Sequence, residues 1–242
     1  MNGFFVTGTD TGVGKTVVAA GLARLLRQRQ LRVGVLKPIE TGYADPGERS
    51  DGAFLAEAAE LDVRDVTPCF YPDPAAPLVA ARVARRPVDL QAVFSAFKQL
   101  QSQSDWMIVE GAGGLAVPIT ETMDMAGLAL ELNLPLLIIA RPNLGTLNHT
   151  CLTLHYARAR GLTVLGVVLS NTQPETDSLA ERTNPAMLEE LGQAPVLGRV
   201  PYSPEIRNPD NAARAVAAGL DLEQFLARCE DIGLGNREVL YR

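Results

Sequence analysis

Residues 4–16 read Phe4-Phe5-Val6-Thr7-Gly8-Thr9-Asp10-Thr11-Gly12-Val13-Gly14-Lys15-Thr16. A short apolar run of strand length enters a loop of small residues, and beyond it Val17–Gln30 carries Val, Leu and Ala at helical spacing. This is the sequence form of a phosphate-binding loop. Glycine and small side chains let backbone N–H groups point inward at phosphate oxygens, Lys15 can reach the β and γ oxygens, and Thr16 can ligate Mg²⁺. The loop is one residue longer than the simple pattern, because Thr9 stands where the first glycine is usual and Gly8 lies one step earlier. Ordinary turn glycines would account for Gly12 and Gly14 alone; the strand before, the Gly-Lys-Thr triplet and the helix after point to a nucleoside triphosphate.

Working outward, apolar runs of strand length recur at Phe4–Thr7, Arg32–Leu36, Trp106–Val109, Leu134–Ala140, Val164–Leu169 and Val196–Val200. Helical patterns lie between them: Val17–Gln30, Asp51–Leu61, Leu90–Ser102, Met125–Leu132 and Thr146–Arg160. This alternation predicts an α/β fold, a parallel sheet with helices on both faces. At 242 residues the chain is expected to form a single phosphate-loop domain spanning 1–242. A proline-rich stretch from Thr67 to Pro87 reads as a surface excursion over the strand ends or a plain connector. Ala212–Leu220 and Leu222–Cys229 read as closing helices assigned to packing.

Composition excludes several classes. The formal net charge of −6 argues against a broad nucleic-acid surface, so attraction for anions must be local. No apolar run reaches membrane-spanning length and the start lacks a signal-like segment, so the expectation is a cytoplasmic protein without a membrane partner. Cys69, Cys151 and Cys229 are odd in number and scattered, which fits reduced structural thiols. His149 and His155 alone cannot supply a histidine-rich metal site.

In a parallel sheet, ligands sit beyond the carboxyl ends of the strands, so residues after each apolar run form the candidate site. Glu110, after Met107-Ile108-Val109, is the leading metal ligand, since Mg²⁺ takes hard oxygens and the glycines that follow allow close approach; the bland alternative is a solvated loop glutamate. Asp51 is either a ligand or a helix N-cap. Asp10 could approach Mg²⁺ or simply shape its turn. Lys37, before Pro38, should project over the crevice and add to Lys15 a positive pocket suited to an anionic substrate attacking a γ-phosphate, unless it is a surface lysine. Thr41 and Gly42 offer a hydroxyl and a backbone N–H nearby.

With Gly8–Thr16, Lys37-Pro-Ile-Glu-Thr41-Gly42, Asp51, Glu110-Gly-Ala-Gly-Gly114 and Leu144-Gly-Thr-Leu-Asn148-His149 in this order, the chain closely resembles the dethiobiotin synthetases over nearly its full length. The resemblance implies an ATP-dependent cyclo-ligase of biotin biosynthesis. It would use Mg²⁺, ATP, CO₂ or bicarbonate and 7,8-diaminononanoate to close a ureido ring, and act as a homodimer. It further implies that Lys15 and Lys37 are catalytic and that Thr16, Asp51 and Glu110 hold the metal. The nucleotide would lie on Thr11, Gly12, Val13, Gly14, Lys15, Thr16, Glu110, Gly111, Ala112 and Gly113, with Asn171, Thr172, Pro201, Tyr202 and Ser203 on the adenine side. Thr41 would contact the diamine, and the helix start carrying Thr146, Asn148 and Thr150, from a partner subunit, would receive its carboxylate.

Two positions depart from the pattern. Some members have Glu where this chain has Gly12, so that side-chain contact is missing, and Thr41 stands where Ser is also familiar. A nucleotide-switched partitioning ATPase would share the loop and sheet but is disfavoured, because Gly8-Thr9-Asp10 lacks a second lysine early in the loop. A cobyrinate-type amide synthase would need a glutaminase domain for which the chain has no room. A paralogue with an altered substrate stays open.

Overall fold

The computed structural model describes residues 2–43 and 50–239, with side chains described through Ile232. Along the chain run β1 (Asn2–Gly8), α1 (Lys15–Gln28), β2 (Val33–Leu36), β3 (Ile39–Thr41), α2 (Asp51–Ala59), α3 (Val63–Val66), β4 (Cys69–Tyr71), α4 (Pro77–Val83) and α5 (Leu90–Gln103). There follow β5 (Trp106–Gly114), α6 (Met125–Glu131), β6 (Leu136–Ala140), α7 (Thr146–Ala159), β7 (Val164–Ser170), α8 (Leu179–Gly192), β8 (Val196–Val200), α9 (Pro209–Gly219) and α10 (Leu222–Val239).

Six strands form one sheet in the order β2-β5-β1-β6-β7-β8, and every neighbouring pair is parallel. Side chains alternate between its faces with period two, so the adjacent Phe4 and Phe5 serve different cores. Phe5 packs with Phe97, Leu128, Leu154 and Leu188 from α5, α6, α7 and α8. Phe4 packs with Leu22, Leu55, Val216 and Phe225 from α1, α2, α9 and α10, and its ring meets Phe225 edge-on at 5.2 Å. The interior strands β1 and β5 are buried along most of their length, which is why they read as continuous apolar runs. No described helix is long and apolar enough to cross a membrane.

Two expectations need correction, and one helix was not foreseen. Glu110 does not follow its strand: β5 continues through the glycines to Gly114, because the ladder with β1 resumes after an irregularity and pairs Gly8 with Gly114. The proline-rich stretch is not a bare connector. It contains β4, which pairs in parallel with β3 as a separate two-stranded sheet, and α4, which takes Pro77 in its first turn where the missing N–H is harmless. Helix α8 escaped the periodic reading because Pro185 lies inside it and much of its face is polar.

Helix α1 is fixed against α9 by the absence of a side chain at Gly21. A Cβ there would lie 2.6 Å from Val216 Cγ2 and 2.7 Å from the Ala212 carbonyl oxygen. Alanine gains about 1 kcal/mol of helix propensity, but overpacking a backbone carbonyl costs about 1–3 kcal/mol, and the carbonyl cannot rotate away. Gly21→Ala is therefore expected to lower stability by about 1 kcal/mol, the difference of those two effects, read as a lower urea midpoint at unchanged slope.

Candidate active site

The loop between β1 and α1 needs left-handed backbone at Gly12 (φ 69°) and Gly14 (φ 96°). At Gly14 a side chain is excluded outright, since its Cβ would sit 2.4 Å from Ser170 Oγ at the end of β7. Gly14 caps α1 without a side-chain hydrogen bond, so the first N–H groups of that helix are left for an anion. Lys15 is buried in the first turn and its Nζ donates to the Asp10 carbonyl at 3.2 Å. Burial holds its pKa below the ordinary lysine value, against the pull of Glu110. Asp10 shapes the turn: its Oδ1 accepts from the Thr11 N–H at 2.7 Å, and its carboxylate lies 3.6 Å from Arg141. Val13 is a core side chain and presents only backbone to the site.

Strands β2 and β5 are neighbours, and each delivers a charge at the same level. Lys37, one residue past β2, is 4% exposed, and Glu110 within β5 is fully buried. Lys37 Nζ donates to Glu110 Oε1 at 2.6 Å and to Asp51 Oδ2 at 3.3 Å. Burial disfavours the ammonium, but the Glu110 and Asp51 carboxylates outweigh it and hold the Lys37 pKa above its ordinary value. Lys37 is thus no surface lysine. Asp51 owes its freedom to a neighbour: Ser50 is the N-cap of α2, its Oγ accepting from the Ala53 N–H at 2.9 Å, so the Asp51 carboxylate turns to the cleft. Burial pushes the Asp51 pKa up, yet the Lys37 charge and its hydrogen bond, with the Thr16 hydroxyl nearby, bring it below the usual carboxylate range.

Thr16 in α1 donates to Glu110 Oε1 at 3.0 Å, so the phosphate loop and this cluster are one site. Glu110 Oε2 is buried and has no hydrogen-bond partner among the described residues. Burial raises the pKa of Glu110 despite Lys37, as expected of a carboxylate with an oxygen left unneutralised. Such an orphan costs about 1–3 kcal/mol or more unless a cation or donor meets it. Two carboxylates and a hydroxyl around the loop suit Mg²⁺, a hard cation that takes one or two carboxylates and fills its remaining positions with phosphate and water. Among the described residues no cluster of three or more His, Cys, Asp or Glu could hold a metal unaided.

The cleft above this cluster has a volume of about 640 Å³, and Thr41, Ala112, Gly113 and Thr172 also line it. Gly111 does not: it packs on the Phe5 ring, 2.8 Å from where a Cβ would be. A second chamber of about 350 Å³ shares Gly12 and Thr172 with the first and is lined by Asn171. Pro201, Tyr202 and Ser203 line neither chamber. On α7, Thr146 and Thr150 are buried with their hydroxyls 3.2 Å apart, and Asn148 lies over a surface hollow beside Cys151. This chain therefore does not bring its own α7 start into its cleft.

Sequence reading gave Glu40 no role. It is buried, and its two oxygens accept from the Asp51 and Gly52 N–H groups at 2.6 and 3.0 Å, fixing the start of α2 and hence Asp51. The signal was its place between Lys37 and Thr41 in one short motif. Arg207, in the loop before α9, also went unassigned; it lines the cleft and adds positive potential at Asp51.

Removing Lys37 would leave the buried Glu110 carboxylate without its cation and beside the half-buried Asp51. Lys37→Met is expected to cost about 3–5 kcal/mol of stability near neutral pH. A buried carboxylate without its cation has a raised folded-state pKa, so the folded state binds more protons than the unfolded one and its stability recovers as pH falls. Urea denaturation from about pH 8 to about pH 5 should show the deficit shrinking.

The chain matches the AAA domain family over residues 2–210. It is 44% identical to the ATP-dependent dethiobiotin synthetase BioD of Bacillus licheniformis over 203 residues, covering 83% of this chain and 86% of that protein. It is 38% identical to the enzyme of that name from Thermodesulfovibrio yellowstonii over 237 residues, covering 93% and 98%. Among solved structures it resembles the MinC:MinD cell division protein complex of Aquifex aeolicus at TM-score 0.54 and 14% identity, covering 96% of each chain. A ParA family ATPase from Chlorobium tepidum gives TM-score 0.53 at 15% identity, with 90% and 92% covered. Those two likenesses establish the phosphate-loop fold alone, whereas the identity to the synthetases extends over most of the chain. The chain belongs to the ATP-dependent dethiobiotin synthetase family.

Proposed function

We propose that this protein closes the ureido ring of dethiobiotin from 7,8-diaminononanoate, CO₂ and ATP. The observation that carries the reading is the buried Lys37–Glu110–Asp51 cluster joined to the phosphate loop through Thr16. One substrate amine adds to CO₂ and loses a proton, giving a carbamate. A carbamate oxygen then attacks the γ-phosphorus as ADP leaves, forming a carbamic-phosphoric anhydride. The second amine attacks the carbonyl carbon, phosphate departs, and the ring is closed.

Within this reading Lys37 stays cationic because Glu110 and Asp51 hold its proton, so it attracts the carbamate without acting as a base. Lys15 reaches the transferring phosphoryl group from the loop side, and Thr41 orients the diamine. Mg²⁺ held by Thr16, Asp51 and Glu110 would neutralise charge on the β- and γ-phosphate oxygens. Phosphoryl transfer needs positioning and electrostatics more than a side-chain nucleophile, which suits a cleft without histidine.

The nucleotide lies along Thr11–Thr16 with its base toward Asn171 and Thr172, and Pro201, Tyr202 and Ser203 belong to the adenine side. A second copy of the chain contributes the α7 start, with Thr146, Asn148 and Thr150, to the substrate carboxylate; the exposure of Leu144 (90%) and Leu152 (61%) beside it supports a homodimer. The protein works as one domain in the cytoplasm, with neither nucleic acid nor membrane as partner.

The test is phosphate release from ATP with Mg²⁺, with and without 7,8-diaminononanoate and bicarbonate, with mass detection of the cyclic urea. Release should require both substrates and yield dethiobiotin. Lys15→Met, checked for folding by thermal denaturation, should lower kcat about 10²- to 10³-fold. ATP consumption that ignores the diamine would sink the assignment.

A further inference from the structure

The phosphate loop is a wall shared by two chambers, and the lysine–carboxylate cluster lies in the first only. A triphosphate whose γ end meets Lys15 and Thr16 has its nucleoside end directed past Gly12 and Thr172 into the second. Among the polar residues that line it, Arg141 and Gln173 included, Asn171 is buried, 8% exposed, at the end of β7. Its backbone is fixed to the neighbouring strand, with its N–H donating to the Val200 carbonyl at 3.0 Å.

Which way the Asn171 amide faces is decided by chemistry. Arg199 Nε lies 2.9 Å from it, and a guanidinium has donors and no acceptor, so the atom facing Arg199 must be Oδ1. Arg199 is itself held from behind: Nη2 lies 2.8 Å from Glu181 Oε2, and Glu181 Oε1 accepts from the Thr176 hydroxyl at 2.8 Å. Glu181 is buried, so this carboxylate is a fixed anchor. Among the described residues, no acceptor is assigned to Asn171 Nδ2, and the residue lines the chamber.

We propose that Arg199 is a positioning residue that locks the Asn171 amide in one orientation, so that the second chamber selects a 6-aminopurine nucleotide over a 6-oxopurine one. This rests on the ATP reading above. In the locked orientation Nδ2 donates to a purine ring nitrogen, and the second lone pair of Oδ1 accepts from the 6-amino group. A 6-oxo group would set an acceptor against an acceptor. Without Arg199 the amide can turn over and serve either base.

The experiment is calorimetric titration of the intact protein, in Mg²⁺, with ATP, ITP and inorganic tripolyphosphate. ITP differs from ATP at the purine 6 position and carries no 2-amino group. The wild-type protein should bind ATP roughly 5- to 150-fold more tightly than ITP. Arg199→Met should bring that ratio to about threefold or less with tripolyphosphate affinity unchanged, and Arg199→Lys, which restores a donor, should recover part of it. Glu181→Gln, which loosens the anchor, should narrow the ratio as well and serves if Arg199→Met does not fold. A wild-type protein that binds ATP and ITP equally, or variants that keep the full ratio while all three ligands weaken in parallel, would overturn the inference and leave the ATP reading intact. Binding of neither nucleotide by the wild-type protein would end both.

Discussion

Two charges withdrawn from water on adjacent strands set the terms for the rest of this structure. Moving Lys37 and Glu110 out of solvent costs several kcal/mol for each ion after relaxation, and their attraction offsets this only with good geometry and further hydrogen bonds. The protein supplies both. Neighbouring strands place the pair at 2.6 Å, Asp51 adds a second carboxylate and Thr16 adds a hydroxyl. Because an apolar pair would join β2 to β5 at least as well, stability does not explain the charges. One Glu110 oxygen has no partner among the described residues, which leaves a demand for a cation or donor that the pair itself does not meet.

The same pair explains how a chain of net charge −6 offers a seat to a highly anionic ligand. Long-range attraction is absent, so binding must come from groups aimed at short range. Lys15, Lys37 and the uncapped start of α1 line one cleft together with Asp51, and Glu110 is buried beside them. The two chambers differ chemically. The first gathers mobile charge and suits a reacting centre; the second has its Glu181 carboxylate fully occupied by Arg199 and Thr176, leaving amide hydrogens to read a neutral base.

Much of this was legible in the residues because periodicity survives where burial is strong. The six strands of the main sheet and the helices that cover them, α8 excepted, carry continuous apolar runs or clean helical spacing, and the loop glycines announce their backbone. What escaped was held by tertiary context. Strands β3 and β4 are three residues each, too short for a period to register, and exist because they pair with one another. Glu40 acts through two backbone N–H groups on a helix that begins eleven positions later, a link no local pattern carries. Arg199 sits in an edge strand whose other residues are apolar or glycine, and that contrast was the available signal. Asp51 could be read either as a cap or as a ligand; Ser50 takes the cap, which leaves the Asp51 side chain along the cleft.

The placement of Glu110 carries the argument one step further. A glutamate in a glycine loop would have to be ordered each time a ligand arrived, at the entropic expense of several free backbone torsions. Here β5 runs on to Gly114, and the Val6–Glu110 pairing fixes the carboxylate to the strand that leads into the phosphate loop. Gly111 is needed for packing, because a side chain there would strike the Phe5 ring, whereas Gly113 lies along the cleft with a positive φ of 65°. The glycine run therefore serves two ends within four residues, core contact first and ligand approach second. A carboxylate built into a buried strand keeps its position whatever enters the cleft, which is what electrostatic stabilisation of a transferring phosphoryl group would require.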